Sequence, residues 1–473
     1  MQPSQDDDTP ISPDDYDTPL EQAIESIRKP FATFLHDQGT SSILLFASTV
    51  LALWMANSTL ADAYSHFFHT PAGLSFGDYS FEMSLSHWIN DGLMPLFFFV
   101  LGLEIKREFL AGEFTDLRAS LLVIYSALGG MAMPALIYLL INNDPLSIQG
   151  WGIPMATDTA FALGALIIFG KRIPQGLITL LVAIAIVDDM GAVLVIALFY
   201  TDTVYWWALG YAAIALGFLV GFNMTGVRQA WPYFIVGTVV WAFFLYSGVH
   251  TTVAGILVAL TVPARPKHGP YQFIRRIQKL LHQFEHTRHP PLPILGDPES
   301  HRLVEKVHWT ALHATTPLRR WERTLETPVG LFVLPIFALA NAGIPFPDAD
   351  PTSILTTPIT LGIVLALIFG KCIGITGSCL LAVKFGIGKF PTGVTPGHIV
   401  GMSLIAGMGF TMSIFIGSLA FSDNQALLVQ AKAGILSGSL LAGLTGIGWL
   451  WIYTLRERRT QQTQSDRADN NRQ

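Results

Sequence analysis

Charge is scarce in this chain of 473 residues: Asp, Glu, Lys and Arg together make up 13%, about half of what a water-soluble domain carries. Hydrophobic residues supply 51% and the mean hydropathy is +0.46, which excludes an ordinary soluble protein and leaves a membrane protein. Cysteine is nearly absent. Cys372 and Cys379 stand seven apart in one apolar run, which matches neither a disulfide framework nor a metal-ligand spacing, so they are read as packing residues. No GxxxxGK[ST] phosphate loop occurs, so uphill transport would have to draw on a gradient. The first 35 or so residues are polar and acidic and lack the basic start and short apolar core of a signal peptide.

What the chain does have is a succession of apolar runs. They fall at about 41–56, 87–103, 119–141, 151–170, 177–200, 204–222, 231–247, 249–263, 328–343, 354–383, 397–421 and 425–455, each near the length that crosses a bilayer. The reading is an all-α polytopic membrane protein of twelve transmembrane helices. The break at "YSGVHTT" is placed there because an unbroken helix from 231 to 263 would be about 50 Å long, too long for one crossing.

Basic residues favour cytoplasmic loops, and their placement tests the count. One set of loops carries Arg28, Lys29, Lys106, Arg107, Arg118, Lys171, Arg172, Arg228, the cluster from Arg265 to Arg323, Lys384, Lys389 and the terminal "RERR"; the other set holds no Lys or Arg but has Asp62, Asp78, Asp144, Asp202 and Asp350. Both termini are therefore expected in the cytoplasm. The division that follows is a tail at 1–40 with an amphipathic segment near "LEQAIESIRKPFATFL", helices one to eight over 41–263, a cytoplasmic insertion at 264–326, helices nine to twelve over 327–455, and a tail at 456–473. Because the basic residues obey membrane sidedness, they give no sign of nucleic-acid binding.

The insertion is rich in His, Arg and Pro. His282, His286 and His289 have spacings a metal would accept, but no acidic or cysteine co-ligands accompany them in a recognisable pattern, and a solvated, partly helical regulatory loop is the simpler reading. On the opposite side "LSFGDYSFEMSL", 74–85, has turn residues between alternating runs, as a small β-hairpin does. Membrane lipids, and a second copy of the chain joined through this hairpin, are the partners expected.

Within the apolar runs, charges stand out because each costs about 3 kcal/mol at a helix centre and usually faces a watery path or an opposite charge. Asp188 and Asp189 lie in the middle of "LLVAIAIVDDMGAVLVIALFY"; Asp158 follows Thr157 in "GIPMATDTAFALGAL", and Lys371 is central in "LALIFGKCIGITGS". Lys432, nearer a helix end, is read as an ordinary ion pair or a snorkelling side chain. Neighbours on a helix point about 100° apart, so Asp188 and Asp189 have different tasks: one meets a cation path, and the other turns to a partner, with Lys371 the obvious choice. A hard cation such as Na⁺ wants oxygen ligands, which Asp189, Asp158, Thr157 and unwound carbonyls offer. A carboxylate there holds a proton or a cation, not both.

The fourth run is interrupted by Pro154 and the polar Thr157 to Thr159, the eleventh by Gly407 and Gly409. Each is the middle member of a triplet, three to five and ten to twelve, crossing in opposite directions. That is the pattern of inverted-topology repeats with broken helices meeting at a midplane site. An intramembrane aspartyl protease would need two aspartates from separate helices rather than an adjacent pair beside a lysine. A passive cation channel would more naturally show a repeated filter loop or a ring of acids.

Together "NDGLMPLFFFVLGLEIKREFLAGEF", "PMATDTAFALG", "AIVDDMGAVLVIALFYT", "SGVHTTVAGILV", "LPIFALANAGI", "FGKCIG" and "GMGFTMSIFIGSLAF" resemble the NhaA family of bacterial sodium/proton antiporters, in order from about 30 to 450. Inverted repeats are a known property of that family and add no independent support. The resemblance implies a secondary transporter rather than an enzyme, with no cofactor. It would export Na⁺ or Li⁺ electrogenically against protons and be switched on at alkaline cytoplasmic pH. It also implies that Asp189 is the main ion carboxylate and Asp188 the partner of Lys371. Asp158 would balance the broken-helix ends, and Glu104, Glu108 and Glu322 would be pH-sensing acids. The long insertion and the replaced histidine neighbours depart from the family pattern.

Overall fold

The computed structural model describes residues 38–76, 79–111, 117–201, 203–267, 269–286, 298–345 and 354–470. The expected N-terminal amphipathic segment lies outside them, as do Asp78, Asp202, Asp350 and His289. In order the elements are α1 (Gln38–Ala56), α2 (Ala61–His69), β1 (Pro71–Phe76) and β2 (Tyr79–Ser84). There follow α3 (Leu85–Ala111), α4 (Leu117–Ile141), a 3₁₀ stretch at Ile148–Met155, α5 (Thr159–Ile167), α6 (Gln175–Phe199), α7 (Trp206–Thr225), α8 (Ala230–Ser247) and α9 (Thr251–Thr261). Next are α10 (Pro270–His286) and α11 (Pro298–Ala314), then α12 (Pro317–Asn341) and α13 (Pro358–Lys384). The chain closes with α14 (Pro396–Ile405), α15 (Phe410–Ala420) and α16 (Gln425–Asn470).

Eight of these helices are long and apolar enough to cross a membrane, and as many as ten spans result when the bent pairs α1–α2 and α14–α15 count as one each. The protein is therefore polytopic. Burial explains how the helices share the work. Helix α7 buries only Ala208, Ala212, Ala215 and Leu219, a 4-3-4 stripe of one face, while Trp206, Phe218 and Met224 point outward at 78%, 62% and 83% exposure. Small residues pack inward and large apolar ones meet lipid, as suits a helix at the rim. Helix α6, by contrast, is buried on nearly every side. It is the centre of the molecule.

The break in "YSGVHTT" is real. Gly248 ends α8 with φ +80°, a left-handed conformation that side chains resist, and a Cβ there would collide with the Thr203 carbonyl. Two helices result, with α9 restarting at Thr251. The strands β1 and β2 pair antiparallel with Pro71 opposite Ser84 and Phe76 opposite Tyr79, a few residues earlier than the 74–85 read from sequence. Ser84 then caps α3 by accepting from His87 N at 3.2 Å, and Trp88 Nε1 donates to Ala72 O at 2.7 Å. The pair is thus fastened to the helix it precedes.

Two boundaries differ from expectation. Helix α12 begins at Pro317, inside the expected insertion, because Thr316 accepts from Arg319 N at 3.2 Å and Pro317 fills the first turn. Helix α16 runs past 455 to Asn470, since the residues beyond contain no Pro or Gly to stop an established helix. Within the expected partly helical insertion, the described residues form α10 and α11, which pack on each other. Cys372 and Cys379 are free thiols, and Cys379 is buried against Ser126 Oγ at 2.9 Å, which is a packing role.

Candidate functional site

Two interrupted helices cross at the middle of the molecule. In the first, the 3₁₀ stretch ends at Met155, residues 156–158 are extended, and α5 starts at Thr159. In the second, α14 ends at Ile405 and α15 resumes at Phe410 after a 48° bend. Helix breaks expose backbone groups that must find partners, and here the two breaks satisfy each other. Asp158 N donates to Met408 O at 2.7 Å, and Thr157 Oγ1 donates to Ala406 O at 3.0 Å.

Asp158 is the N-cap of α5. Its Oδ1 accepts from Phe161 N at 3.2 Å, and its Oδ2 accepts from both Thr411 N at 2.9 Å and Thr411 Oγ1 at 2.6 Å. One carboxylate therefore closes the first turns of α5 and α15, two positive dipole ends. Lys371 does the converse. Its Nζ donates to Met155 O at 2.5 Å, at the carbonyl end of the 3₁₀ stretch, and to Asp188 Oδ2 at 2.6 Å. Both Lys371 and Asp188 are fully buried, and Thr157 Oγ1 adds a bond of 2.9 Å to the same Asp188 oxygen.

Asp189, one residue on, faces elsewhere. It is 3% exposed, and its Oδ1 is buried without a hydrogen-bond partner. A buried, unsatisfied carboxyl oxygen is costly, and that cost falls away when a proton or a cation occupies it. Asp158 has both oxygens committed to helix ends, so of the two acids first read as cation ligands Asp189 is the one with an uncommitted oxygen. The single hydroxyl proton of Thr157 lies within reach of both Asp188 Oδ2 and Ala406 O, and a hydroxyl oxygen is a ligand type that suits a hard cation.

The three acids read as pH-sensing converge away from this crossing on a single cation. Arg107 Nη1 meets Glu108 Oε1 at 2.6 Å, its Nε meets Glu322 Oε1 at 2.8 Å, and its Nη2 lies 3.6 Å from Glu104 Oε1. Arg319 flanks Glu322 at 3.5 Å. The cluster joins the end of α3 to the start of α12.

Sequence reading missed Arg107 as the hub and Thr411 as the second cap of Asp158. Both had a signal: Arg107 sits among the acids of "LEIKRE", and Thr411 stands just after the break at Gly409, where a helix start needs partners. Lys432 is half-buried on α16 and does not enter the crossing.

A model of the family described as Na⁺/H⁺ antiporter 1 matches residues 32–450, a stretch holding every residue of the crossing and the acid cluster. The chain belongs to that family. Among curated members, Na(+)/H(+) antiporter NhaA of Sulfurimonas denitrificans is 46% identical over 432 residues, 91% of this chain and 97% of its own. NhaA 1 of Saccharophagus degradans is 45% identical over 435 residues, 92% of this chain and 93% of its own, and NhaA of Syntrophobacter fumaroxidans is 42% identical over 442 residues, 93% of each. As a member of the Na⁺/H⁺ antiporter 1 family the protein is a multi-pass membrane transporter, not an enzyme.

Proposed function

We propose that the protein exports Na⁺, or Li⁺, in exchange for more than one proton, electrogenically and with its activity switched on at alkaline cytoplasmic pH. The observation that carries this reading is Asp189 beside the crossing of two broken helices: Asp188 and Asp189 each have a buried oxygen without a hydrogen-bond partner, but Asp188 is already paired with Lys371. Asp189 is the carboxyl for which ion and proton compete. Asp158 and Thr157 support the ion, Asp158 chiefly by holding the two helix ends in place. Asp188 and Lys371 form the internal pair that fixes α6 to α13 and to Met155. The acids Glu104, Glu108 and Glu322, gathered on Arg107, set the pH response.

Twelve crossings, with residues of spans three to five and ten to twelve as inverted repeats, follow from counting the broken 3₁₀–α5 segment and short α9 as spans. The positive-inside pattern supports both termini on the cytoplasmic side of a bacterial inner membrane, with the 264–326 region between the first eight and last four spans on that side and the terminal segments 1–40 and 456–473 flanking the membrane body. The β1–β2 pair then lies outside, where it suits a homodimer contact. No cofactor is needed, since oxygen ligands and a gradient suffice.

Inside-out vesicles test this across a pH series. Sodium or lithium added to vesicles with a preformed pH gradient should dissipate it, faster as pH rises and in response to membrane potential. Sodium flux without proton counterflow would leave a passive channel instead.

A further inference from the structure

Helices α10 and α11 fill the insertion, and the exchange reaction uses neither of them. Their surface is specific. On α10 the residues Phe273, Ile277, Leu280 and Phe284 are half-buried and recur at the spacing of one helix face, as expected where α10 packs on α11. A second apolar row is left open: Tyr271 is 87% exposed, and Ile274 and Leu281 are each 51% exposed. Beside it run Arg275 and Lys279, one turn apart and exposed, with Arg276 on the same helix; Glu285 is the only acid in α10.

We propose that α10 is an interfacial helix that docks on the anionic phospholipid headgroups of the cytoplasmic leaflet. A basic row flanking an apolar row is the pattern of helices that lie in the headgroup plane, and a negative lipid surface complements it in both respects. The tether favours the same occupant. Leu318 N donates to Pro263 O at 3.2 Å and Lys267 N to His313 O at 3.1 Å, so the start of α10 and the end of α11 are held together between two membrane-embedded helices, α9 and α12. A helix of 17 residues is about 25 Å long and cannot stray far from the bilayer face. The proposal depends on the sidedness given above.

The ends of the insertion are also held by adjacent residues of α3. Lys106 Nζ donates to Leu260 O at 2.6 Å and to Val262 O at 2.5 Å, just before the insertion, while Arg107 binds Glu322 just after it. Docking of α10 therefore bears directly on the acid cluster. Lipid charge becomes an input to the pH response.

The test uses the full chain with Leu281→Cys carrying a polarity-sensitive fluorophore, in nanodiscs of phosphatidylcholine alone or enriched in phosphatidylglycerol, with brominated acyl chains as quencher. The same labelling of the unmodified chain corrects for its two native thiols. Blue shift and quenching are expected only with phosphatidylglycerol, weakened by high salt, and the docking equilibrium should fall about 10- to 30-fold in Arg275→Gln/Lys279→Gln. In vesicles the pH of half-activation should depend on phosphatidylglycerol in the native chain and lose that dependence in the double variant, with maximal exchange retained. A probe that stays in water in both lipids overturns the proposal. A probe equally buried in phosphatidylcholine also overturns it, and assigns the face to a protein neighbour such as a second copy.

Discussion

Thr411 gives Asp158 two hydrogen bonds at once, from its backbone N–H at 2.9 Å and its hydroxyl at 2.6 Å, both to Oδ2. The pair ties the restart of one broken helix to the cap of the other. Thr411→Val keeps the shape and the backbone donor but removes the hydroxyl from a buried carboxylate, which typically costs about 1–3 kcal/mol. We expect a lower melting temperature in detergent and weaker apparent sodium affinity, with Thr411→Ser close to the native protein. Equal loss in both variants would mean the methyl group, not the hydroxyl, is what matters there.

Asp189→Asn should abolish exchange while leaving the protein inserted and monodisperse, because the amide neither releases a proton nor balances a cation. Asp158→Asn should retain exchange at reduced apparent affinity, since its amide oxygen still caps one helix end but the charge facing two positive dipole ends is gone. Vesicle assays over a range of sodium concentrations separate the two outcomes. Substantial exchange by Asp189→Asn sinks the assignment of that residue.

Much of this was legible before any coordinates. Asp188, Asp189, Asp158 and Lys371 stand out because charge is rare in apolar runs, and the two breaks are marked by Pro154 and by Gly407 and Gly409. Eight of the expected runs are helices long and apolar enough to span, up to ten with the two bent pairs, and the split expected in "YSGVHTT" falls at Gly248. What the sequence hides is geometry set by tertiary packing. Nothing local reveals that Glu322, more than two hundred residues from Arg107, shares that guanidinium with Glu108, or that Asp158 spends both oxygens on helix ends. Nor does a polar, proline-rich insertion reveal two packed helices, because the face they bury on each other is read only once they are paired.

The Arg107 cluster predicts a pH effect with a definite sign. Three acids share one arginine, and each negative charge disfavours ionisation of the others. Glu108→Gln or Glu322→Gln removes one negative charge from the cluster, so half-activation should move toward acid, with transport retained. Proton-flux profiles over a pH series make the comparison. An unchanged midpoint would reduce the cluster to an ordinary helix-end network.

Asp188 and Lys371 meet at 2.6 Å with neither side chain exposed, so each is the other's compensation. Removing one partner of a buried pair leaves an unpaired charge and costs about 3–5 kcal/mol, whereas removing both is often nearly neutral. Thermal stability in detergent should therefore fall in Asp188→Asn and in Lys371→Ala, and recover in the double variant. The recovery should be incomplete, because Lys371 also holds the Met155 carbonyl at the end of the 3₁₀ stretch, and that carbonyl is orphaned whenever the ammonium is lost. Lys371→Met with Asp188→Asn fills more of the space and should recover more than the alanine version. Exchange measured in the same double variants tells whether the lysine also carries a proton: fewer protons moved per sodium would place it on the proton path, and an unaltered ratio would confine it to holding α13 against α6. Strictly additive losses in stability would contradict the pairing.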